Sequence, residues 1–438
     1  MKKKSFIKNI IRDFHKEDLP KTVKRNFDLP ERIDIPLVIT GARRSGKTFL
    51  LYNFIKKKIA SGINKKRFVF INFEDERLAD FETKDLHLIL EAYQELYPDL
   101  DLKDTYFLFD EIQNISGWEK FIRRIIDTIT KKVLITGSNS RLLSKEIATS
   151  LRGRTLSFEV FPLDFREFLT FKNISLDLHH SSGKGKIINA LDEFLKYGGY
   201  PEIVFLEKKY RYPVLQNYLQ VMIYRDLVER FQISNLKALK FFIRQVIQTH
   251  SKEISINKIY NSLKSMKLAI GINTLYKYHE HLKDIYLAHT LNKFTYSERI
   301  KEQSEKKNYI IDNGIFNANT FRLSDDRGRV LESAVFWHLR RKNKEIFLYK
   351  GGVHKKFECD FIVCEQGKPK EAIQVCADLS SEKTYQRELD GILKTCLDLK
   401  LKEGLIISLD EEREVELQGI RINILPFYKY CLGLLEKM

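Results

Sequence analysis

Ile39-Thr40-Gly41-Ala42-Arg43-Arg44-Ser45-Gly46-Lys47-Thr48 is the stretch whose reading decides the fold. It leaves a short apolar run, Ile35–Thr40, and opens a helical one, Lys47–Ala60. From Gly41 it matches the pattern GxxxxGK[ST] in the strand–loop–helix context that this motif needs. Its glycines let the backbone wrap closely around phosphates. The N–H groups of the loop and of the helix start point at the anion. Lys47 would neutralise the β and γ phosphates, and the Thr48 hydroxyl would ligate Mg²⁺. Gly41, Ala42, Arg43, Arg44, Ser45, Gly46, Lys47, Thr48 and Phe49 are therefore the candidate nucleotide-binding residues.

Outward from the loop, apolar runs alternate with helical stretches. Arg67–Asn72, Thr105–Phe109, Lys132–Thr136 and Thr155–Val160 read as strands. Leu86–Tyr97 and Gly117–Thr130 read as helices. Such alternation predicts a parallel sheet with helices on both faces. One strand, Tyr106-Phe107-Leu108-Phe109-Asp110-Glu111, ends in two carboxylates. Asp110 would hold Mg²⁺, and Glu111 would deprotonate the attacking water. A strand and a helix separate the two motifs, which predicts an extra strand between the loop strand and the Asp-Glu strand. The sequence has no NKxD base-recognition motif, so ATP is expected rather than GTP.

Two further stretches bear on catalysis. Gly137-Ser138-Asn139-Ser140 ends a strand, and Ser138 and Asn139 are candidates to hold water or sense the γ-phosphate; Asn139 joins the catalytic set. Arg152 and Arg154 follow, either as a finger for a neighbouring subunit's nucleotide or as surface salt bridges. Glu74, Asp75 and Glu76 follow the second strand, either near the water and metal or as a solvated loop.

These pieces together resemble a prokaryotic family of AAA-like ATPases with an N-terminal P-loop domain followed by a DUF4143 domain. The matching residues are the loop itself, Ile71–Leu78, Phe109-Asp110-Glu111-Ile112-Gln113, Gly137–Ser140 and Leu151-Arg152-Gly153-Arg154. They continue with Tyr197-Gly198-Gly199-Tyr200-Pro201, Tyr224-Arg225-Asp226-Leu227 and Asn313-Gly314. The resemblance implies an α/β P-loop NTPase core, a helical lid, a winged-helix region and a C-terminal domain similar to PD-(D/E)xK nucleases. It names no substrate.

The 438 residues suit several domains. We divide them into a basic helical segment (1–30), the P-loop core (31–162), a lid (163–231), a winged-helix-like region (232–324) and a nuclease-like domain (325–438). In the first segment, Phe6, Ile7, Ile10, Ile11 and Phe14 share one helical face, which would dock on the core or lie on a membrane. In the winged-helix region, Asn273 is expected to cap a helix reaching Lys283. Leu275, Tyr278 and Leu282 would face inward and Tyr276, Lys277, His279, Glu280 and Lys283 outward. A PD-(D/E)xK site needs an acid pair on a metal and a lysine that activates water. Glu332 and Asp360 match, but Gln374 stands at the second metal position and Cys376 at the lysine position. The expectation is a nuclease-like fold without nuclease activity, unless Glu371 or Asp378 moves into the site.

The charge is +17, which favours anionic partners or reflects a lysine-rich surface. Five cysteines, all after residue 358 and without CxxC spacing, argue for reduced thiols and a cytoplasmic place. No apolar run is long enough to span a bilayer. The expected function is Mg²⁺-dependent ATP hydrolysis by a homo-oligomer, coupled to duplex DNA. The alternatives are a slow nucleotide-loaded switch acting on a protein partner, and an ATP-driven nuclease.

Overall fold

The computed structural model describes residues 2–30, 32–140, 151, 153–178, 180–320, 326–351 and 357–434. Two compact units form. The first holds Met1–Phe161 with Asp284–Tyr286, and the second holds Pro162–Lys283 with Leu287–Met438. The three segments expected beyond residue 162 are thus parts of one compact unit.

The first unit contains α1 (Lys2–Lys16), β1 (Leu37–Gly41), α2 (Lys47–Ala60), β2 (Phe68–Asn72), α3 (His87–Leu96), β3 (Tyr106–Asp110), α4 (Trp118–Thr128), β4 (Val133–Gly137) and β5 (Leu156–Val160). The strands form one parallel sheet in the order β2-β3-β4-β1-β5. Alternation along each strand sends side chains to two cores. Val69, Ile71, Phe107, Phe109, Val133 and Ile135 join one cluster with residues of α1, α3 and α4. Phe68, Phe70, Tyr106, Leu108 and Leu134 join the other with residues of α2. Helix α4 shows why it packs: Trp118, Phe121, Ile122, Ile125 and Ile126 are buried at helical spacing.

An extra strand does lie between the loop strand and the Asp-Glu strand, and it is β4. The strand that separates the motifs in sequence, β2, takes the sheet edge beside β3. Helix α1 docks on its own unit: Ile7, Ile10 and Ile11 are buried in the core. Burying each is worth about 1.5–3 kcal/mol. Its basic face meets acids, with Lys3 at 2.7 Å from Asp85 and Lys4 at 2.8 Å from Glu95. Part of the basic excess at the N-terminus is therefore neutralised inside the fold.

The second unit begins with α5 (Phe165–Phe171), α6 (Ser181–Tyr197), α7 (Pro201–Phe205) and α8 (Lys208–Val221), which runs into a π-helical turn over Met222–Glu229. Next come α9 (Leu236–Gln248), β6 (Lys252–Ile254), α10 (Ile256–Ser265), α11 (Ile272–Asp284), β7 (Ala288–Leu291), α12 (Glu298–Gln303), β8 (Lys306–Ile310) and α13 (Asn313–Ala318). Strands β6, β8 and β7 make a small antiparallel sheet with β8 in the centre. The charged stretch between β7 and β8 contains a helix, α12, whose N-cap Ser297 accepts from the Ile300 N–H. The unit ends with α14 (Arg327–Arg341), β9 (Glu345–Gly351), β10 (Phe357–Glu365), β11 (Lys368–Val375), α15 (Glu382–Leu399), β12 (Glu403–Ser408), β13 (Arg413–Leu417), β14 (Ile420–Pro426) and α16 (Phe427–Leu432). Its mixed sheet runs β13-β14-β12-β11-β10-β9. Strand β13, Arg-Glu-Val-Glu-Leu, has no apolar run to announce it; pairing with β14 makes it a strand.

Helix α11 differs from its expected form in two ways. It starts at Ile272, so Asn273 lies inside it rather than capping it. His279 points inward, not outward, and burial with Lys283 nearby lowers its pKa to about 4. The exposed face keeps Tyr276, Lys277 and Glu280.

Two quoted motifs meet each other in this unit. Asp312 accepts from the Gly199 N–H at 2.7 Å and the Gly314 N–H at 2.8 Å. A Cβ at Gly199 would stand 2.2 Å from the Leu163 carbonyl oxygen, and one at Gly198 would strike the Asp312 carboxyl. Tyr197–Pro201 and Asn313-Gly314 are thus halves of one packed joint.

Candidate active site

The site sits at the carboxyl ends of β1, β3 and β4, where a parallel sheet leaves its loops. The loop after β1 carries unusual backbone. Gly41 has φ of 154°, and a Cβ there would stand 2.0 Å from the Val160 carbonyl oxygen. Arg44 (φ 64°) and Gly46 (φ 99°) are left-handed, and Gly46 is the N-cap of α2. Left-handed residues in such a loop are the kind of backbone that can gather N–H groups around an anion.

Lys47 is buried, and its ammonium lies 3.2 Å from Gly41 O, 3.1 Å from Ala42 O, 3.1 Å from Ser138 Oγ and 3.2 Å from Glu111 Oε1. Thr48 Oγ1 donates to Asp110 Oδ2 at 2.7 Å. Thr136 Oγ1 donates to the other Asp110 oxygen and accepts from the Glu111 N–H at 3.0 Å. Ser138 Oγ is 2.8 Å from Glu111 Oε1 and 2.7 Å from Oε2, and Gln113 Nε2 donates to Oε2 at 2.5 Å. Glu111 itself sits at φ 52°, a left-handed backbone that a glutamate adopts only at a cost of about 1–3 kcal/mol. Such strain recurs at functional sites.

The two adjacent acids titrate apart. Burial and the neighbouring Glu111 charge raise Asp110 to about 6. Burial also pushes Glu111 up, but Lys47 and the bonds from Gln113 and Ser138 outweigh it and hold this carboxyl at about 2. A carboxylate kept ionised beside a strand end is suited to accept a proton from water once its lysine is drawn away.

The residues fit a nucleotide with its metal. Ser45 Oγ is buried and has no hydrogen-bond partner among the described residues. Lys47 rests on main-chain carbonyls that a phosphate would replace as its partners. Thr48 and Asp110 offer adjacent hard oxygen donors of the kind Mg²⁺ takes. Phe49, the last residue of the expected segment, presents a half-exposed ring 6.0 Å from Tyr52.

The other expected residues fall as follows. Arg43 pairs with Glu74 at 2.7 Å, so Glu74 belongs to the loop's surroundings. Asp75 instead caps the 3₁₀ turn Glu76–Leu78 and holds Arg77 at 2.7 Å. Ser138 supplies the hydroxyl that bridges Lys47 and Glu111, while Asn139 is half-buried at the next position. Arg154 pairs with Asp127 of its own chain at 3.1 Å. Arg152 lies outside the described residues. Sequence reasoning missed Thr136, gave Gln113 no role, and missed Arg25, whose guanidinium donates to Ser45 O at 2.8 Å and Phe161 O at 3.0 Å. Thr136 had a faint signal, a hydroxyl at the end of an apolar strand, but its meaning depends on where β4 lies in the sheet.

In the second unit, Glu332 on α14 and Asp360 on β10 come together as expected. Gln374 does not reach for a metal: its Nε2 donates to Glu388 at 2.8 Å and its Oε1 accepts from the Asp360 N–H at 3.2 Å. Burial pushes the Cys376 thiol up to about 11. Neither Glu371 nor Asp378 has moved in: both are exposed, the first 3.8 Å from Lys344 and the second bonded to the Ser380 N–H.

Among the described residues no helix is long and apolar enough to cross a membrane, and the five cysteines are free of disulfides. Residues 34–169 match the family model of an AAA domain. Residues 188–326 match a domain of unknown function, DUF8612, rather than the DUF4143 domain that the resemblance implied. Among solved structures, a Walker-type ATPase of Pyrococcus abyssi is 16% identical, with a TM-score of 0.43, covering 69% of this chain and 99% of that one. The Aeropyrum pernix ORC1 protein in complex with DNA is 11% identical, with a TM-score of 0.32, covering 72% and 91%. Likenesses so distant carry no argument. A Haemophilus influenzae uncharacterized protein is 29% identical over 58% of this chain and 61% of its own length. The uncharacterized protein MJ1544 of Methanocaldococcus jannaschii is 38% identical over 94% of this chain and 91% of its own. The chain therefore carries an AAA-type P-loop ATPase domain and belongs to the same family as MJ1544.

Proposed function

We propose that the chain binds ATP with Mg²⁺ and hydrolyses it. The observation that carries this reading is the convergence of Lys47, Thr48, Asp110, Glu111, Thr136 and Ser138 at three neighbouring strand ends. The loop N–H groups and Lys47 bind the phosphates. Thr48 and Asp110 hold the metal, which when bound offsets charge on the phosphate oxygens. Thr136 fixes Asp110. Glu111, released from Lys47, takes the proton of the attacking water, and Ser138 keeps its carboxylate aimed. Arg152 or Arg154 would complete a neighbouring copy's site in a homo-oligomer; for Arg154 this means leaving Asp127.

For the coupled work, duplex DNA is the first reading. It is supported by the charge of +17 and by α9–β6–α10–α11–β7–α12–β8, the element order of a winged helix with a short helix between its last two strands. A nucleotide-loaded switch on a protein partner is the second, favoured by the mixed face of α11, where Lys277 stands with Glu280. The test is steady-state phosphate release with and without duplex DNA, using Glu111→Gln as the blank. Stimulation by DNA with a dead blank supports the first reading. Slow turnover indifferent to DNA supports the second. Turnover unchanged in the blank would sink the assigned role of Glu111. Nuclease activity is not proposed, given Gln374 and Cys376.

A further inference from the structure

Glu332 and Asp360 are nearly fully buried, and two buried carboxylates close together need a cation. The structure shows what stands between them. Lys307, from the central strand β8 of the small sheet, puts its ammonium 2.9 Å from Glu332 Oε1 and 2.9 Å from Asp360 Oδ1. Glu358 adds a third acid at 3.6 Å. The neighbouring polar atoms are also engaged: Tyr309 donates to Glu332 at 2.5 Å, and the Val375 N–H donates to Asp360 Oδ2 at 3.0 Å. Burial disfavours the lysine's charge, but Asp360 and Glu332 outweigh it, so the ammonium stays protonated at any physiological pH. Among the described residues, no group of three or more His, Cys, Asp or Glu side chains gathers in a way that could hold a metal ion.

We propose that Lys307 is a built-in cation: its ammonium fills the seat between Glu332 and Asp360 and makes this domain independent of divalent metal. A lysine is a compact point charge on a long stem. It can therefore stand where a small hard cation would stand, and it binds β8 to α14 and β10 at the same time. Beside the seat lies an open cleft lined by Glu358, Asp360, Glu388 and Asp390 against Arg387 and Lys394. That balance is acidic and repels a phosphate backbone. The closed seat and the acidic cleft together describe a domain that holds its shape by charge and does no metal chemistry.

The test uses the full-length protein without nucleotide. Wild type and Lys307→Ala are compared by thermal melting with and without millimolar Mn²⁺, and by counting bound Mn²⁺ from its paramagnetic resonance signal. Lys307→Ala should melt on the order of 10 °C lower, since one partner of a buried charge set is gone. Mn²⁺ should recover part of that loss and bind one ion more per chain than wild type. Lys307→Ala combined with Asp360→Asn should lose the extra ion. Any metal at Thr48 and Asp110 is common to all three proteins and cancels. Equal Mn²⁺ binding by wild type and Lys307→Ala overturns the proposal. Should Lys307→Ala not fold, Lys307→Met with Glu332→Gln and Asp360→Asn removes the three buried charges, leaving only the more exposed Glu358, and should fold without metal. Failure of that neutral variant also overturns it.

Discussion

Lys47 and Lys307 are both buried ammonium groups set against carboxylates, and their surroundings differ in what can displace them. Lys47 opens a helix after a loop with left-handed residues, and main-chain carbonyls make up part of its shell. Around it stand an unpartnered Ser45 hydroxyl and a strained Glu111. Lys307 is part of a regular strand, and the carboxylates it touches are further bonded to Tyr309 and the Val375 N–H. An incoming phosphate can take Lys47 from its carbonyls at little cost. Nothing of comparable charge can reach Lys307 without leaving two acids buried and unpaired. The same chemical grouping is a binding site where the backbone leaves a gap, and a fastening where every atom is satisfied.

The comparison can be broken most sharply at the acids' partners. Glu111→Gln should lower phosphate release by about 10²–10⁴-fold while ATP binding, measured by equilibrium titration, remains. Lys307→Met should leave nucleotide affinity alone but destabilise the fold by about 3–5 kcal/mol in denaturant titration. Lys47→Ala should do the reverse, losing nucleotide affinity with the smaller loss of stability, because Ser138 and Gln113 still bond Glu111. If Lys47→Ala proves the less stable of the two, the contrast fails.

A smaller effect is expected at the loop backbone. Gly41→Ala must push its Cβ against the Val160 carbonyl, so stability should fall by on the order of 1–3 kcal/mol and nucleotide binding with it.

The pH response follows from Asp110. Its native pKa of about 6 exceeds the ordinary 3.8, so the folded chain holds an extra proton between these values. Without metal, stability should decline as pH rises across that window, and Asp110→Asn should remove the decline. Metal binding must expel the proton, so Mg²⁺-dependent binding of a non-hydrolysable ATP analogue should weaken as pH falls through about 6. Glu111 acts oppositely: its lowered pKa stabilises the fold at neutral pH, and this is lost only as pH falls below the usual carboxylate range toward 2. The smallest effect is Arg44→Gly, which relieves a left-handed backbone but loosens the unfolded chain. The net change should stay within about 1 kcal/mol.

Local pattern alone determined a good part of this protein. The loop Gly41–Thr48, the acids Asp110 and Glu111, and the alternation of strands and helices through residue 160 were legible because each is encoded within a few neighbouring residues. Glu332 and Asp360 were readable as a pair only through the family resemblance. Tertiary structure decided the rest. Strand β4, not β2, lies beside β1, and that brings Thr136 and Ser138 to the acids. His279, four residues after Leu275 and three before Leu282, lies on the helical stripe that the fold covers, and its polar ring hid this in the sequence; only the folded chain shows an imidazole buried there. Lys307 met Asp360 across 53 residues of chain. A lysine in a strand carries no local mark of its partner. Which carboxylate a charge will neutralise depends on distance in space, and only the folded chain sets that distance.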